Sequence, residues 1–461
     1  MKTHKIIIII LFIFIILINK IPGQENTEKI TLPKNTFFIE EPVFNSRVYL
    51  YESGKNFKTS IILVHGVGDD ASDIWKNLIP LLEKQYHVIC FDLPGFGRSE
   101  KANELYSPKN YAAFIKWVYD KYVEDPMCLV GHSMGGAISL YYAGAYPESL
   151  QRLILIDAAA ILHRTTLTKN MAKARLSKYN KYNLFNEQFE LIDELIESTI
   201  NIEGNFEILK DVSLVFTNSF LRRKLLGNPK KIAGAAVINE NFSTIIEKVK
   251  SPVFMIWGEA DPIAPLRTGK MLSYMIPNSK LNIMKGLGHD PMIEDANNFN
   301  HLIIKCLSEE IKSTGTSTHL SEKKILNLSG KKNITLEGFY DSISLNNCSN
   351  IHLKNIFASG ITIKNSSVEL ENISIKSESI GIKAINSEII ITGGNIEAKV
   401  GLYISNCKAD IAGVRITGQK SAVETSSNTE SNIIFSVSKI KSPYNDRYIH
   451  ELLKIEGNNS F

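Results

Sequence analysis

The chain has 461 residues, 44% of them hydrophobic and 22% charged. That composition excludes a largely disordered or collagen-like chain, and the length requires at least two cores. Lys and Arg number 52 against 48 Asp and Glu, a net +4 that falls to +1 when Lys2, Lys5 and Lys20 of the amino-terminal segment are left out; with no block of like charge besides, nucleic acid is not an expected partner.

Met1 to Lys5 holds two lysines, Ile6 to Ile18 is an unbroken apolar run of 13 residues, and Pro22-Gly23-Gln24 follows the polar Asn19-Lys20. This is the layout of a signal peptide over residues 1–23. The run is shorter than the roughly 20 residues that cross a bilayer as a helix, and small Gly23 sits at the cleavage position, though bulky Ile21 lies two before it. The reading is an exported protein (secreted, periplasmic or cell-surface), with an uncleaved amino-terminal membrane anchor as the alternative. The five cysteines are an odd, sparse set whose positions suggest no disulfide framework; Cys90 and Cys128 sit in apolar runs, and all five are expected to be free thiols.

From Ile61 to Cys306 short aliphatic runs alternate with longer amphipathic stretches, the pattern of strand-helix units around a parallel sheet. Strands are predicted at Ile61 to Val64, His87 to Phe91, Met127 to Val130, Leu153 to Ile156, Val253 to Trp257 and Leu281 to Met284. An antiparallel pair is predicted before them at Phe37 to Ile39 and Val48 to Tyr51, and helices at Pro108 to Tyr122 and Gly136 to Ala145. The class is α/β.

Gly131-His132-Ser133-Met134-Gly135 lies between the run Cys128-Leu129-Val130 and a small-residue helical stretch, so G-x-S-x-G occurs in the strand-turn-helix setting that it requires. Flanking glycines let the serine occupy a tight turn, which exposes its hydroxyl at the positive end of a helix. With His65-Gly66-Val67-Gly68, Phe91-Asp92-Leu93-Pro94-Gly95-Phe96-Gly97-Arg98-Ser99, Gly258-Glu259-Ala260-Asp261-Pro262 and Gly288-His289-Asp290-Pro291, the chain resembles the α/β-hydrolase superfamily, of the serine esterase or lipase kind, from about Thr36 to Ile311.

A serine hydroxyl needs a base, and the base needs an orienting carboxylate. Asp261 and His289 each follow a predicted strand by a short loop and so reach the same sheet edge as Ser133, in the order Ser133, Asp261, His289 expected of this fold. Asp290 is the nearest alternative acid. His65 and His132 are expected to shape the loops around the nucleophile, and His163, His301 and His319 lack any such context. The resemblance assigns the oxyanion donors to the backbone amides of Met134 and Val67, with Gly68 as a substitute, and makes Asp92 a structural aspartate. It implies neither cofactor nor metal.

Between Asp157 and Lys250 the strand rhythm gives way to a helical, mixed-charge insertion. By resemblance this is a lid (about 159–250), with Phe185, Phe189, Phe206, Phe216 and Phe220 as lid-core or pocket residues. The hydrolase domain thus runs over 24–312. A polar linker (313–324) follows, and then asparagines recur at Asn327, Asn346, Asn365, Asn386, Asn406 and Asn428, in steps of 19 to 22. Each precedes short alternating runs, which resembles the repeats of a right-handed parallel β-helix over 325–443, with 444–461 as a cap or tail. Its carboxylates are scattered, so binding or spacing is expected of it, and the linker leads one to expect a hydrolase that works without it. The functional expectation is a serine hydrolase acting on a small-molecule or lipid carboxylic ester, with a polysaccharide or cell-surface polymer as a further partner. A ligand-binding protein on a hydrolase scaffold is the alternative, and oligomeric state is not legible.

Overall fold

The computed structural model describes residues 33–68, 71–102, 104–167, 169, 229–261, 263–311, 324–426, 430–455 and 457–461. The signal-peptide segment, most of the 159–250 insertion with its five phenylalanines, the linker before Lys324, His319 and Asn428 lie outside them. Residues 37–461 form one compact unit. Among the described residues no helix is long and apolar enough to cross a membrane.

The first half is a sheet of eight strands: β1 (Thr36–Glu41), β2 (Ser46–Ser53), β3 (Ser60–Val64), β4 (His87–Phe91), β5 (Met127–His132), β6 (Leu150–Ile156), β7 (Val253–Gly258) and β8 (Ser279–Met284), in the order β1-β2-β4-β3-β5-β6-β7-β8. β2 pairs antiparallel with β4, and β4, β3, β5, β6, β7 and β8 pair in parallel. The middle strands are aliphatic without alternation because helices cover both faces, and β3, β4, β5 and β7 are buried throughout. Helix α1 (Pro108–Tyr122) opens on Ser107, whose hydroxyl accepts the Asn110 amide, and has proline at its first position. α2 (Met134–Ala145) follows β5 directly, α3 (Pro229–Ile238) closes the insertion, and α4 (Leu266–Met275) and α5 (Ala296–Ser308) follow β7 and β8. The five cysteines are buried free thiols.

The second half is built from β9 (Lys324–Ser329), β10 (Lys332–Asn346), β11 (Ser349–Ala358), β12 (Ile361–Lys364), β13 (Ser367–Ile385), β14 (Glu388–Ser405), β15 (Lys408–Thr425), β16 (Ser431–Ser436) and β17 (Ser438–Ser442), all paired in parallel. β18 (Asn445–Ile449) and β19 (Leu452–Ile455) return antiparallel on β17 and β16. β13 meets β14 in register from Ser367↔Glu388 to Ile385↔Ser405, and β14 meets β15 one turn later, so each coil of about 20 residues stacks on the next around an aliphatic core. This is a parallel β-helix.

Its corners explain the asparagine period. One column of left-handed residues runs Gly330, Asn347, Asn365, Asn386 and Asn406. The side-chain amide of Asn386 donates to Asn365 at 3.2 Å and that of Asn406 donates to Asn386 at 2.9 Å. Asparagine tolerates this backbone and bonds its own copy one coil away. In the second coil the corner falls on Asn347, because Asn346 is still in the ladder opposite Lys364.

A second column runs Asn355, Asn372, Gly393, Gly413 and Val437, again all at positive φ. It turns to glycine where α4 docks. A Cβ on Gly393 would stand 2.4 Å from Tyr274 Cδ2, and one on Gly413 2.5 Å from Met271 Cγ. Around these contacts Arg267 pairs with Asp410 at 2.9 Å and donates to Thr392 Oγ1, Lys270 pairs with Glu371 at 2.6 Å, and the Tyr274 hydroxyl donates to Glu371 at 2.7 Å. Ala412 and Val437 of the β-helix belong to the hydrolase's own apolar cluster. The expectation of two cores held apart by a linker thus gives way to a docked pair, because the contacts are made by α4 and the insertion base, far in sequence from the linker.

Two histidines meet in this interface. His163, at the base of the insertion, packs edge-on against His450 with ring centroids 5.2 Å apart. Burial, His450 and Arg164 push His163 down to about 3, while burial and Arg164 push His450 down to about 4. Free histidine titrates near 6.5. Between there and about pH 4 the unfolded chain therefore binds protons that the folded chain refuses, and each such histidine lowers stability by about 1.4 kcal/mol per unit of falling pH. Melting temperature should fall steadily between pH 6.5 and 4.5, and less steeply in His450→Gln; equal slopes would assign the acid sensitivity to other groups.

Candidate active site

Ser133 caps β5 at φ 54° and ψ −121°, a strained backbone for a residue with a β-carbon. The turn is tight because α2 starts at once: a Cβ on Gly131 would lie 2.4 Å from Gly135 O, and one on Gly135 2.4 Å from His65 O. Two bonds tie the turn to the end of β6. The Ser133 amide donates to Ile156 O at 3.0 Å, and the Ala159 amide donates to Ser133 O at 3.1 Å.

Ser133 Oγ lies 2.8 Å from His289 Nε2, and His289 Nδ1 lies 2.7 Å from Asp261 Oδ2. The second Asp261 oxygen accepts the amides of Ile263 at 2.7 Å and Ala264 at 3.0 Å, so the carboxylate is fixed by the loop that leads into α4. The three side chains, from the ends of β5, β7 and β8, form one continuous hydrogen-bonded chain. Asp290, the alternative acid, stands 3.7 Å from His132 Nε2, whereas Asp261 holds the His289 ring.

Met134 is the first residue of α2, so its N–H is among those with no acceptor inside the helix. A Cβ on Gly66 would stand 2.8 Å from Ser133 Cβ, which places the Gly66-Val67-Gly68 backbone beside Ser133. Val67 is partly exposed there. His65 fixes that loop: Nε2 accepts the Leu93 amide at 2.8 Å and Nδ1 bonds Gly66 O at 2.6 Å. His132 is buried and donates from Nε2 to His289 O at 2.8 Å. Burial and the neighbouring His289 push its pKa down to about 3, which keeps it neutral and anchors the His289 backbone.

Asp92 lies outside this chain. It is fully buried and accepts Arg98 N at 2.8 Å, Arg98 Nε at 2.7 Å and Ser72 N at 3.0 Å. Burial alone would raise its pKa, but Arg98 and Ser72 hold it below the usual carboxylate value. Asp157, by contrast, is a residue of the site for which the sequence gives only one signal, an acid directly after the four buried aliphatics of β6. Among the described residues no group of three or more His, Cys, Asp or Glu is placed to hold a metal ion.

Residues 59–192 match the family model of the alpha/beta hydrolase fold. Over 286 residues the chain is 26% identical to the 2-hydroxy-6-oxononadienedioate/2-hydroxy-6-oxononatrienedioate hydrolase of Escherichia coli K12, covering 59% of this chain and 94% of that one. It is 27% identical over 248 residues to the uncharacterized hydrolase YugF of Bacillus subtilis, covering 50% and 84%. Among solved structures, an esterase of Exiguobacterium antarcticum aligns over 59% of this chain and 99% of its own at 17% identity, with a TM-score of 0.43. With the strand order, the tight turn at Ser133 and the family-model match in agreement, the first domain of this chain has the α/β-hydrolase fold.

Proposed function

We propose that the protein is an exported serine hydrolase that cleaves carboxylic esters. The observation that carries this reading is the continuous chain from Ser133 through His289 to Asp261. His289 Nε2 takes the Ser133 proton as Oγ attacks the ester carbonyl, and Asp261 holds the ring in the required tautomer and stabilises the imidazolium. The amides of Met134 and Val67 receive the developing oxyanion, His289 returns the proton to the leaving alcohol, and water attacking by the reverse path releases the acid.

Turnover of a p-nitrophenyl ester series by the purified protein tests the reading, and no turnover above background would favour a ligand-binding protein on the same scaffold. Asp261→Asn should lower kcat on the order of 10⁴-fold, less than loss of the nucleophile; an undiminished rate would move the acid elsewhere. Carbon–carbon cleavage is the second reading, favoured by the relatives that hydrolyse 2-hydroxy-6-oxo dienedioates, and an assay on such a vinylogous diketone acid separates it from ester hydrolysis.

A polysaccharide or cell-surface polymer as a further partner is supported by a cleft of about 630 Å³ where α4 meets the β-helix, with Arg267, Lys270, His352, Glu369 and Lys408 on its walls. Pull-down of the whole protein on insoluble glycans tests that part, and retention on none would leave the β-helix without a polymer ligand.

A further inference from the structure

Asp157 stands between the nucleophile turn and the acid loop. Its own backbone follows Ile156, the acceptor of the Ser133 amide, and its amide donates to Ile256 O at 3.1 Å. Its Oδ1 accepts the Gly258 amide at 2.8 Å, from the end of the strand that delivers Asp261. The residue is fully buried, and it is held at φ 42°, outside the region an aspartate ordinarily occupies. Its second oxygen, Oδ2, is buried and receives no N–H or hydroxyl proton. The Asp261 carboxyl acts on Asp157 both through its charge and as a side-chain hydrogen-bond partner. Two carboxylates cannot both be ionised at that range without a cation between them. The charged groups acting on Asp157, Asp261 and Asp290, are both anionic, and burial followed by the Asp261 charge drives its pKa well above the usual carboxylate range.

Asp261 has a bond for each oxygen already, Oδ1 from Ile263 and Ala264 and Oδ2 from His289. A fourth donor from the strand side would close its coordination and fix its plane relative to the imidazole. We propose that Asp157 is a positioning residue of the triad: its carboxyl stays neutral, accepts the Gly258 amide with one oxygen and donates its proton to Asp261 with the other. The consequence is that a single negative charge, on Asp261, faces His289, so the base is oriented by two carboxyls while its basicity is set by one.

Asp157→Asn keeps both an acceptor for Gly258 and a donor for Asp261 and carries no charge. It should therefore retain kcat within about twofold and leave the acid limb of the kcat/KM pH profile in place. If Asp157 were ionised, the same change would remove a charge from beside the triad and move that limb to lower pH, which would overturn the proposal. Asp157→Ala loses the donor, and misplacement of Asp261 should lower kcat about tenfold or more at little changed KM; wild-type kinetics in this variant would overturn it as well. An infrared difference spectrum between wild type and Asp157→Asn at neutral pH covers the case in which the alanine variant does not fold. A protonated-carboxyl C=O band present in wild type alone supports the neutral carboxyl, and its absence rejects it. The inference rests on the hydrolase reading for its catalytic effect, but the infrared band does not. A band with no esterase activity would fail that reading alone, and activity without the band would fail this one.

Discussion

Ser133→Ala is expected to abolish ester hydrolysis, with kcat reduced about a million-fold, and to prevent labelling by a fluorophosphonate. As the proposed nucleophile, Ser133 would form the covalent bond to the acyl group, and its loss removes that step. The residual rate should be what the Met134 and Val67 amides give by holding an oxyanion against attacking water. The turn should survive: its ties are the amide and carbonyl of residue 133 to Ile156 and Ala159, and alanine keeps both with the same strained backbone, so melting should match wild type. Continued labelling would put the nucleophile elsewhere. The molecule does hold a second serine-histidine-carboxylate chain, Ser60 Oγ to His87 Nδ1 at 3.0 Å and His87 Nε2 to Glu52 at 3.0 Å. It lies at the opposite sheet edge, where β3 and β4 begin, with all three residues buried. It bonds three strand ends together. Full activity in Ser60→Ala beside loss of activity in Ser133→Ala would separate the two chains.

The sequence shows most of what lies on the sheet. Central parallel strands are runs of aliphatics bounded by polar residues, so β4 is predicted to its last residue and β3, β5 and β7 to within two, and the tight turn at Ser133 declares itself through glycines that no other residue can replace. The edge strand β8 is less legible, since its residues are mostly half-exposed and alternate weakly. What a sequence hides is contact between distant segments. The glycines of Gly393 and Gly413 read as ordinary corner residues until α4 is seen against them, and Asp157 reads as the end of a strand until Gly258 and Asp261 are brought beside it. His163 has no partner within reach along the chain; the one it finds, His450, is 287 residues away.

Ending the chain at residue 312 is expected to destabilise the hydrolase and to lower its rate on even the smallest ester, against the simpler picture of a linker between independent domains. Without the β-helix, Arg267 and Lys270 lose Asp410 and Glu371, and Met271, Tyr274 and Met275 lose the surface formed by Gly393 and Gly413. Exposing a buried side chain of that size costs about 1.5–3 kcal/mol, and removal of several together takes up a large part of the 5–15 kcal/mol that holds a domain folded. The loss reaches the chemistry by a short path. α4 begins at Leu266, five residues after Asp261, and the intervening Ile263 and Ala264 amides fix the Asp261 carboxylate. A helix that loosens there lets the carboxylate, and with it His289, drift from Ser133. Gly413→Leu makes the same point without deletion: a β-carbon at positive φ, 2.5 Å from Met271 Cγ, should cost about 2–4 kcal/mol and lower kcat more than it changes KM. Melting curves and p-nitrophenyl acetate kinetics of both variants measure this. A truncated chain that melts and turns over like the full-length protein would make the β-helix a separable appendage and the docking of α4 incidental to catalysis.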